Sequence, residues 1–422
     1  MEQFIKHWIL EDVYPNIDQR QFGDEKGTGC EHVLVYFVDR VLSLLDSTNG
    51  KSAVLMASCD WVSAFDCLDP HCIISGFIRL GLRPSLIQLL ISYMSGRSMK
   101  VKWRGVMSAP RSLVGGSAQG TLLGGCEYIV STSTVASDVP FKDKYRYYDD
   151  LQILELVMLS GLLKDYDFWT HVPSDIGVDS KYLPTNNIQM QQYLNNICDW
   201  STQNEVQLNE KKSNYMIFTR CQSEFTVRLQ MNYKSLEQVK AIKLLGLWVT
   251  QDMSWQTNTQ EACKKAYSRL ALLTKLKYVG VGRTDLLDVY KLFIRSCLEY
   301  CSVVFHTMLT LEQSRMYENC QRVSLKVIMA GDYADYESAL RSCSLDTLYK
   351  RWENRVLQFS LRALKHPKHS KMFPLSNKFR DNVHDLREHE RYIVNFTHGE
   401  KYKSSFIPQA QRRLNQYVKE KA

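Results

Sequence analysis

Apolar side chains recur at helical spacing early in the chain: Val33, Leu34, Phe37, Val41 and Leu44 fall on one face of a helix predicted over residues 31–45. The period then changes. Residues 53–57 (AVLMA) are apolar without interruption, the pattern of a short buried strand, and the run delivers Cys59, Asp60 and Trp61 at its end. Asp69 followed by Pro70 predicts a helix start, since a carboxylate can accept from the exposed first-turn amides and proline loses no bond there. Gly81 and Pro84 close that helix, and a second short one over 85–94 is stopped by Gly96. Met99, Val101 and Trp103 then alternate with Lys100, Lys102 and Arg104, which predicts a half-buried strand with a basic outer face.

Residues 115–125 are too rich in glycine for a simple element at their start. The segment 144–154 is aromatic and apolar on both sides of Asp149 and Asp150 and predicts strand, tight turn, strand. Residues 155–190, with Pro173, Pro184 and several Asp and Asn, predict an irregular connection. After Trp255 the pattern becomes helical, with stretches over 259–277, 285–304 and 311–329, the last preceded by Thr310 and Gln313 in capping-box spacing. No internal repeat or low-complexity tract is present. The expected organisation is an entry segment at 1–50, a mixed α+β region at 51–255, helices at 256–345 and a basic, mostly helical segment at 346–422.

Charge adds one feature. Residues 362–422 hold 14 Lys and Arg against 6 Asp and Glu, an excess equal to the whole chain's formal net charge of +8. Five of the ten histidines lie there too: His366, His369, His384, His389 and His398. Such a segment suits a polyanionic partner, nucleic acid first, or serves as a solvated face that aids solubility. Hydrophobic content of 45% in 422 residues excludes a disordered chain. Twelve cysteines without a CxxC pair, and a start (MEQFIKHWILED) unlike a secretory leader, lead to the expectation of an intracellular protein, in cytoplasm or nucleus, with mostly core thiols. No apolar run approaches the ~20 residues that a membrane span needs.

The candidate chemistry lies in three carboxylates. Asp60 ends a predicted strand, and Asp149 and Asp150 occupy a predicted turn 89 positions later. Strand ends are where a sheet can gather groups from distant positions. Adjacent carboxylates resist joint ionisation unless a cation neutralises them, and hard oxygen ligands suit Mg²⁺. Two aspartates in a turn are ordinarily turn chemistry; the ordered set of motifs around them carries the weight.

CDWVSAFD (59–66), GGSAQGTLLGG (115–125), YYDD (147–150), LNEKKSNYMIF (208–218) and IKLLGLWV (242–249) resemble, in order, motifs A to E of reverse transcriptases. QFGDEKGTGCEH (21–32) resembles the segment before motif A in non-LTR retrotransposons of the LINE type, and FIPQAQRRLN (406–415) resembles the end of that region in the jockey-like group. The resemblance implies an α+β fold: a polymerase palm of antiparallel sheet with packed helices, partial fingers, a helical thumb and a basic C-terminal segment. It implies an RNA-directed DNA polymerase that uses two Mg²⁺ ions, or Mn²⁺, with an RNA template, a DNA primer and deoxynucleoside triphosphates. Two ions about 3.5–4 Å apart would activate the primer hydroxyl and stabilise the pyrophosphate.

Carried over by position, Asp60 and Asp149 would bind metal and Asp150 would complete the site with a lesser role. Phe65 matches the steric gate against a ribose 2′-hydroxyl, and Gln119 and Gly120 match the lining of the template and nucleotide pocket. Lys212 matches the lysine proposed to protonate pyrophosphate, although Lys211 and Lys212 also read as an ordinary polar turn. Leu245, Gly246 and Trp248 match the primer-grip hairpin or simply pack as one. Two positions depart from the pattern: Ala118 stands where proline is usual, and Tyr148 is bulky for a position near the primer end. The basic fingers hairpin would precede Met1, so the chain is expected to be an N-terminally truncated, catalytically impaired copy. An inactive nucleic-acid-binding remnant or domesticated fragment is the alternative. An RNA-dependent RNA polymerase is disfavoured by YYDD and by Phe65.

Overall fold

The structure, a computed structural model, describes residues 1–159, 180–182, 188–220, 224–376 and 391–421. The chain divides into two compact units. The first comprises Met1–Gly29, Ala53–Ile217 and Cys221–Val239, and the second Cys30–Ser52, Phe218–Arg220 and Lys240–Ala422.

A five-stranded sheet organises the first unit. Its strands are β1 (Ser52–Cys59), β2 (Lys144–Tyr147), β3 (Asp150–Met158), β4 (Asn214–Thr219) and β5 (Glu237–Gln238), in the spatial order β5-β4-β1-β3-β2. The uninterrupted apolar run of β1 is central, and Ala53 to Ala57 are buried, as the run predicted. β2 and β3 form an antiparallel hairpin with Tyr147 opposite Asp150, and β5 pairs in parallel with β4. The helices Pro70–Arg79, Pro84–Met94, Gly124–Ser131 and Met190–Gln203 bury Ile73, Phe77, Leu90, Val130, Leu194 and Ile197 in the same core as Leu55 and Ile153. The first of these helices starts as predicted, with the Asp69 side chain accepting from the His71 N–H at 2.8 Å.

The segment after Gly96 differs from the expectation of a half-buried strand. It is an antiparallel ribbon pairing Ser98 with Ser112 and Trp103 with Val106, and every residue from 98 to 114 is exposed. Alternation predicted a strand correctly but cannot tell whether anything covers its apolar face. In the expected irregular connection 155–190, β3 continues to Met158 and a helix begins at Met190. Residues 160–179 and 183–187 lie outside the described ones.

The second unit is mainly helical. Cys30–Ser47 forms one helix, close to the predicted span, and belongs to this unit. A hairpin of β6 (Ala241–Leu244) and β7 (Leu247–Thr250) precedes a helix at Gln256–Tyr278. The next predicted helix is broken: Arg283–Val289 passes through a wide π turn at Tyr290–Ile294 into Arg295–Glu299, and Cys301 takes φ 52° before Ser302–Phe305. Leu311–Met329 carries the predicted capping box, with both Thr310–Gln313 bonds formed. An aromatic cluster of Trp255, Phe305, Tyr317 and Trp352 fills the centre.

The basic C-terminal segment is packed rather than merely solvated. Its helix Phe406–Lys421 buries Phe406, Ile407, Ala410 and Leu414, and His369 is wholly buried, stacked on His32 and His366. His384 and His389 lie outside the described residues. Among the described residues no helix is long and apolar enough to cross a membrane.

Candidate active site

Asp60 emerges where β1 leaves the sheet, and the segment before β4 clamps its main chain. The Asp60 N–H donates to Ser213 Oγ at 3.0 Å, and its carbonyl accepts from the Asn209 N–H at 2.8 Å. Trp61 bridges Leu208, and the Val62 N–H donates to the Gln207 carbonyl at 2.9 Å. Nearby, the charge of Lys212 and the Asn209 side chain favour the ionised form of the Asp60 carboxylate. Even so, Asp60 Oδ2 is buried without a hydrogen-bond partner. Burial raises the pKa of Asp60 and the charge of Asp149 adds to the rise, against the opposing effects of Lys212 and Asn209.

The register of β2 and β3 leaves Tyr148 and Asp149 as a two-residue turn. Tyr148 holds φ 53°, a left-handed backbone that is costly for a bulky residue. Its surroundings enforce that conformation. The Tyr148 N–H donates to Gln21 Oε1 at 3.0 Å, and the same oxygen accepts from the Gly23 N–H at 2.9 Å. The ring lies against Gly23 and Gly125, where an added Cβ would come within 2.9 and 3.0 Å of it. The turn presents Asp149 exposed and Asp150 half-buried. Burial pushes Asp150 up to about 6, and the charges of Asp149 and Asp60 contribute. Asp60, Asp149 and Asp150 therefore act on one another electrostatically despite the 89 positions between the first two.

Phe65, Gln119 and Gly120, also singled out in the sequence, lie in the same unit. Phe65 stacks on Tyr128 with ring centroids 4.6 Å apart, and its centroid is 6.1 Å from that of Tyr148. Its carbonyl accepts from the Ser117 N–H at 2.8 Å, tying the aromatic position to the glycine-rich loop. In that loop Gln119 donates through Nε2 to Asp66 Oδ1 at 2.6 Å, and Gly120 is exposed with φ 80°. The Ala118 N–H donates to Glu127 Oε2 at 3.0 Å. A proline at 118 has no N–H to give, so this departure from the motif is matched by a bond that only a non-proline can make. Glu127 is fully buried, and burial raises its pKa.

Leu245, Gly246 and Trp248 lie in the second unit. There Leu245 and Gly246 form the tight turn of the β6–β7 hairpin, and Tyr300 Oη donates to the Leu245 carbonyl at 2.6 Å. Within that unit an open cavity beside the hairpin is lined by Trp248, Lys243, Lys264, Lys265, Arg269 and Tyr300.

Sequence reasoning did not single out Gln21, Asn209, Ser213 or Glu127. The first three fall inside the motif strings, which was the only signal. Their partners are 127 to 153 positions away, as Gln21 to Tyr148 and Ser213 to Asp60 show.

No family model matches the chain. It is 24% identical over 306 residues to the RNA-directed DNA polymerase from mobile element jockey of Drosophila melanogaster, covering 71% of this chain and 31% of that protein. It is 22% identical over 258 residues to a protein described as the probable RNA-directed DNA polymerase from transposon BS of the same species, covering 61% of this chain and 26% of that protein. The chain thus spans less than a third of the length of the curated relatives it matches. Among solved structures, apo telomerase from Candida tropicalis is 12% identical with a TM-score of 0.40, over 87% of this chain and 54% of that one. Telomerase from Candida albicans in complex with a TWJ fragment of telomeric RNA is 10% identical with a TM-score of 0.36, over 92% and 59%. The sequence matches to polymerases of mobile elements bear out the resemblance read from the motifs.

Proposed function

We propose that this chain, similar in sequence to RNA-directed DNA polymerases of mobile elements, is the polymerase core of such an enzyme, adding deoxynucleotides to a DNA primer on an RNA template. The observation that carries the reading is the buried, unpartnered oxygen of Asp60 beside a second raised carboxyl, Asp150, which burial, with the charges of Asp149 and Asp60 adding to it, holds at about 6. Carboxylates in that condition favour a divalent cation over the empty state. Among the described residues no three His, Cys, Asp or Glu side chains form a cage for a metal ion. Mg²⁺ needs none, because it binds through one or two carboxylates and completes its shell with water and phosphate oxygens. In this reading Asp60 and Asp149 are the main ligands and Asp150 has the lesser role. Bound there, a pair of Mg²⁺ ions would lower the pKa of the primer hydroxyl and neutralise charge on the departing pyrophosphate.

The chain's own residues supply position and protons. Phe65, braced by its stack on Tyr128, presents a flat face where a ribose 2′-hydroxyl would sit. Gln119 and Gly120 line the nucleotide and template side, with Gln119 oriented by Asp66. Tyr148 forms part of the surface under the primer end. Lys212, exposed beside Asp60, holds a proton for the leaving pyrophosphate. The basic cavity next to the Leu245–Gly246 turn suits the phosphates of a primer strand.

Primer extension on an RNA template with deoxynucleotides and Mg²⁺, comparing wild type with Asp149→Ala, tests the reading. Losing several kcal/mol of charge stabilisation corresponds to a drop on the order of a thousand-fold. Equal extension by both proteins removes Asp149 from the site. Binding of primer–template without extension by the wild type leaves the inactive nucleic-acid-binding reading in its place.

A further inference from the structure

The exposed ribbon after Gly96 combines features that an idle loop does not have. Residues 97–114 contain Arg97, Lys100, Lys102, Arg104 and Arg111 and no Asp or Glu. Trp103 is 72% exposed and Val106 73%, and neither is covered by another described part of the chain. Cross-strand pairing puts Trp103 and Val106 on one face and Lys102 with Met107 on the other, and the apolar Met99, Val101 and Met107 are exposed as well. A lone two-stranded ribbon is marginally stable in water, and a solvent-exposed apolar face on one is a sign of an absent partner.

The tip is strained in a telling way. Arg104 and Gly105 form a two-residue turn with φ 47° and 86°, a conformation that favours Asn or Gly at its first position. An arginine is held there at a steric cost, with its guanidinium 5.8 Å from the Trp103 ring centroid. The root is rigid by contrast. The Leu113 N–H donates to the Arg97 carbonyl at 2.9 Å, and Arg97 Nη2 donates to the Gly116 carbonyl at 2.7 Å, directly ahead of the Gln119 loop.

We infer that the 98–112 ribbon is a binding arm for single-stranded nucleic acid, with bases stacking on Trp103 and phosphates meeting Lys100, Lys102 and Arg104. The inference rests on the polymerase reading for the identity of the strand, an RNA template on its way to the Gln119 loop. Charge complementarity selects a polyanion, and the apolar face selects one with unstacked bases, because a duplex turns its phosphates outward and hides its base faces. Stacking on an aromatic side chain is sequence-tolerant, so the arm grips without reading.

The test measures binding of a fluorescein-labelled oligouridylate to the whole chain by anisotropy, in EDTA and without nucleotide, so that catalysis plays no part. Trp103→Ala is expected to weaken binding about tenfold at an unchanged salt slope. The triple variant Lys100→Ala, Lys102→Ala, Arg104→Ala is expected to flatten the slope of log affinity against log salt by about 0.7 for each phosphate that is no longer neutralised. All four side chains are exposed, and unchanged circular dichroism melting shows that the variants fold. Wild-type affinity and slope in both variants overturn the inference. So does a loss confined to phosphatidylserine vesicles or to self-association with RNA binding intact, either of which would make the ribbon a membrane or protein contact. Failure of the wild type to bind RNA at all sinks the polymerase reading together with the arm, whereas binding indifferent to the ribbon sinks the arm alone.

Discussion

Two withdrawn acids, Asp46 in the helical unit and Asp150 in the sheet unit, are treated in opposite ways. In the helical unit Asp46 is 2% exposed, and burial alone would raise its pKa. It instead lies below the usual carboxylate range, because it accepts from the His398 N–H at 2.6 Å, the Gly399 N–H at 2.8 Å and Arg220 at 3.0 Å. Glu299, also buried, meets Arg351, Arg295 and Arg355. In the sheet unit Asp60 and Asp150 are half-buried, and burial raises both, with the like charge of Asp149 adding to the rise. A desolvated carboxylate that has been given its complement holds structure together. One that has been given a like-charged neighbour costs stability and is poised for something not yet bound.

The largest test of this contrast is in the helical unit. Asp46→Ala would leave the Arg220 guanidinium and two amides without their acceptor. Arg220 is exposed and stays solvated, but each backbone amide left without its acceptor costs about 1–3 kcal/mol. Urea unfolding should show a correspondingly lower midpoint. A change of only a few tenths would mean that water reaches the group and that its saturated bonding is incidental.

The opposite sign is expected in the sheet unit. A carboxyl whose folded pKa lies above its unfolded value binds its proton first in the fold. The stability this gives is complete below the unfolded value of 3.8 and is lost as pH rises through about 6. Asp150→Asn keeps the shape and removes the ionisation. In EDTA it should therefore be more stable than wild type at pH 7.5, by on the order of 1–2 kcal/mol once solvent screening is allowed for. The advantage should vanish below pH ~4, where wild type is neutral too. Thermal melts across that range read the effect. A variant less stable than wild type at pH 7.5 would place Asp150 among the structural acids, beside Asp46.

The local part of this arrangement was legible before any coordinates. The β1 run, the Asp69 cap, the Thr310–Gln313 capping box and the strand–turn–strand around Asp149 depend on neighbours in sequence, and each is present. What pattern could not give is the identity of distant partners. Gln21 pinning the Tyr148 turn and Ser213 clamping Asp60 are bonds across 127 and 153 positions. Nor does alternation carry information on burial by other elements, which is why Met99 to Trp103 read as half-covered and stands bare. The histidines of the basic segment show the same limit: composition marked them as charge, whereas His369 is a buried ring in a stack.

The smallest expected stability effect is at Lys212, and it separates the two kinds of pairing most finely. Lys212 is the cation that acts on Asp60, as Arg220 does on Asp46, and both are exposed, but Lys212 makes no direct ion pair among those formed by the described residues. A charge at that distance and exposure contributes little to folding, so Lys212→Ala should move the urea midpoint by less than about 0.5 kcal/mol. Its effect on extension should be much larger if the side chain delivers a proton to pyrophosphate, on the order of 100-fold in kcat with KM for nucleotide little changed. Lys212→Arg keeps the charge but, with its far higher pKa, cannot serve as an acid near neutral pH. Both variants should then lose the alkaline limb of the wild-type pH–rate profile. If arginine instead restores full turnover, Lys212 acts only as a positive charge beside Asp60, and the proton must come from elsewhere. If alanine lowers stability as much as Arg220→Ala does, Lys212 belongs with the structural ion pairs of the other unit and the contrast between the two units loses its clearest member.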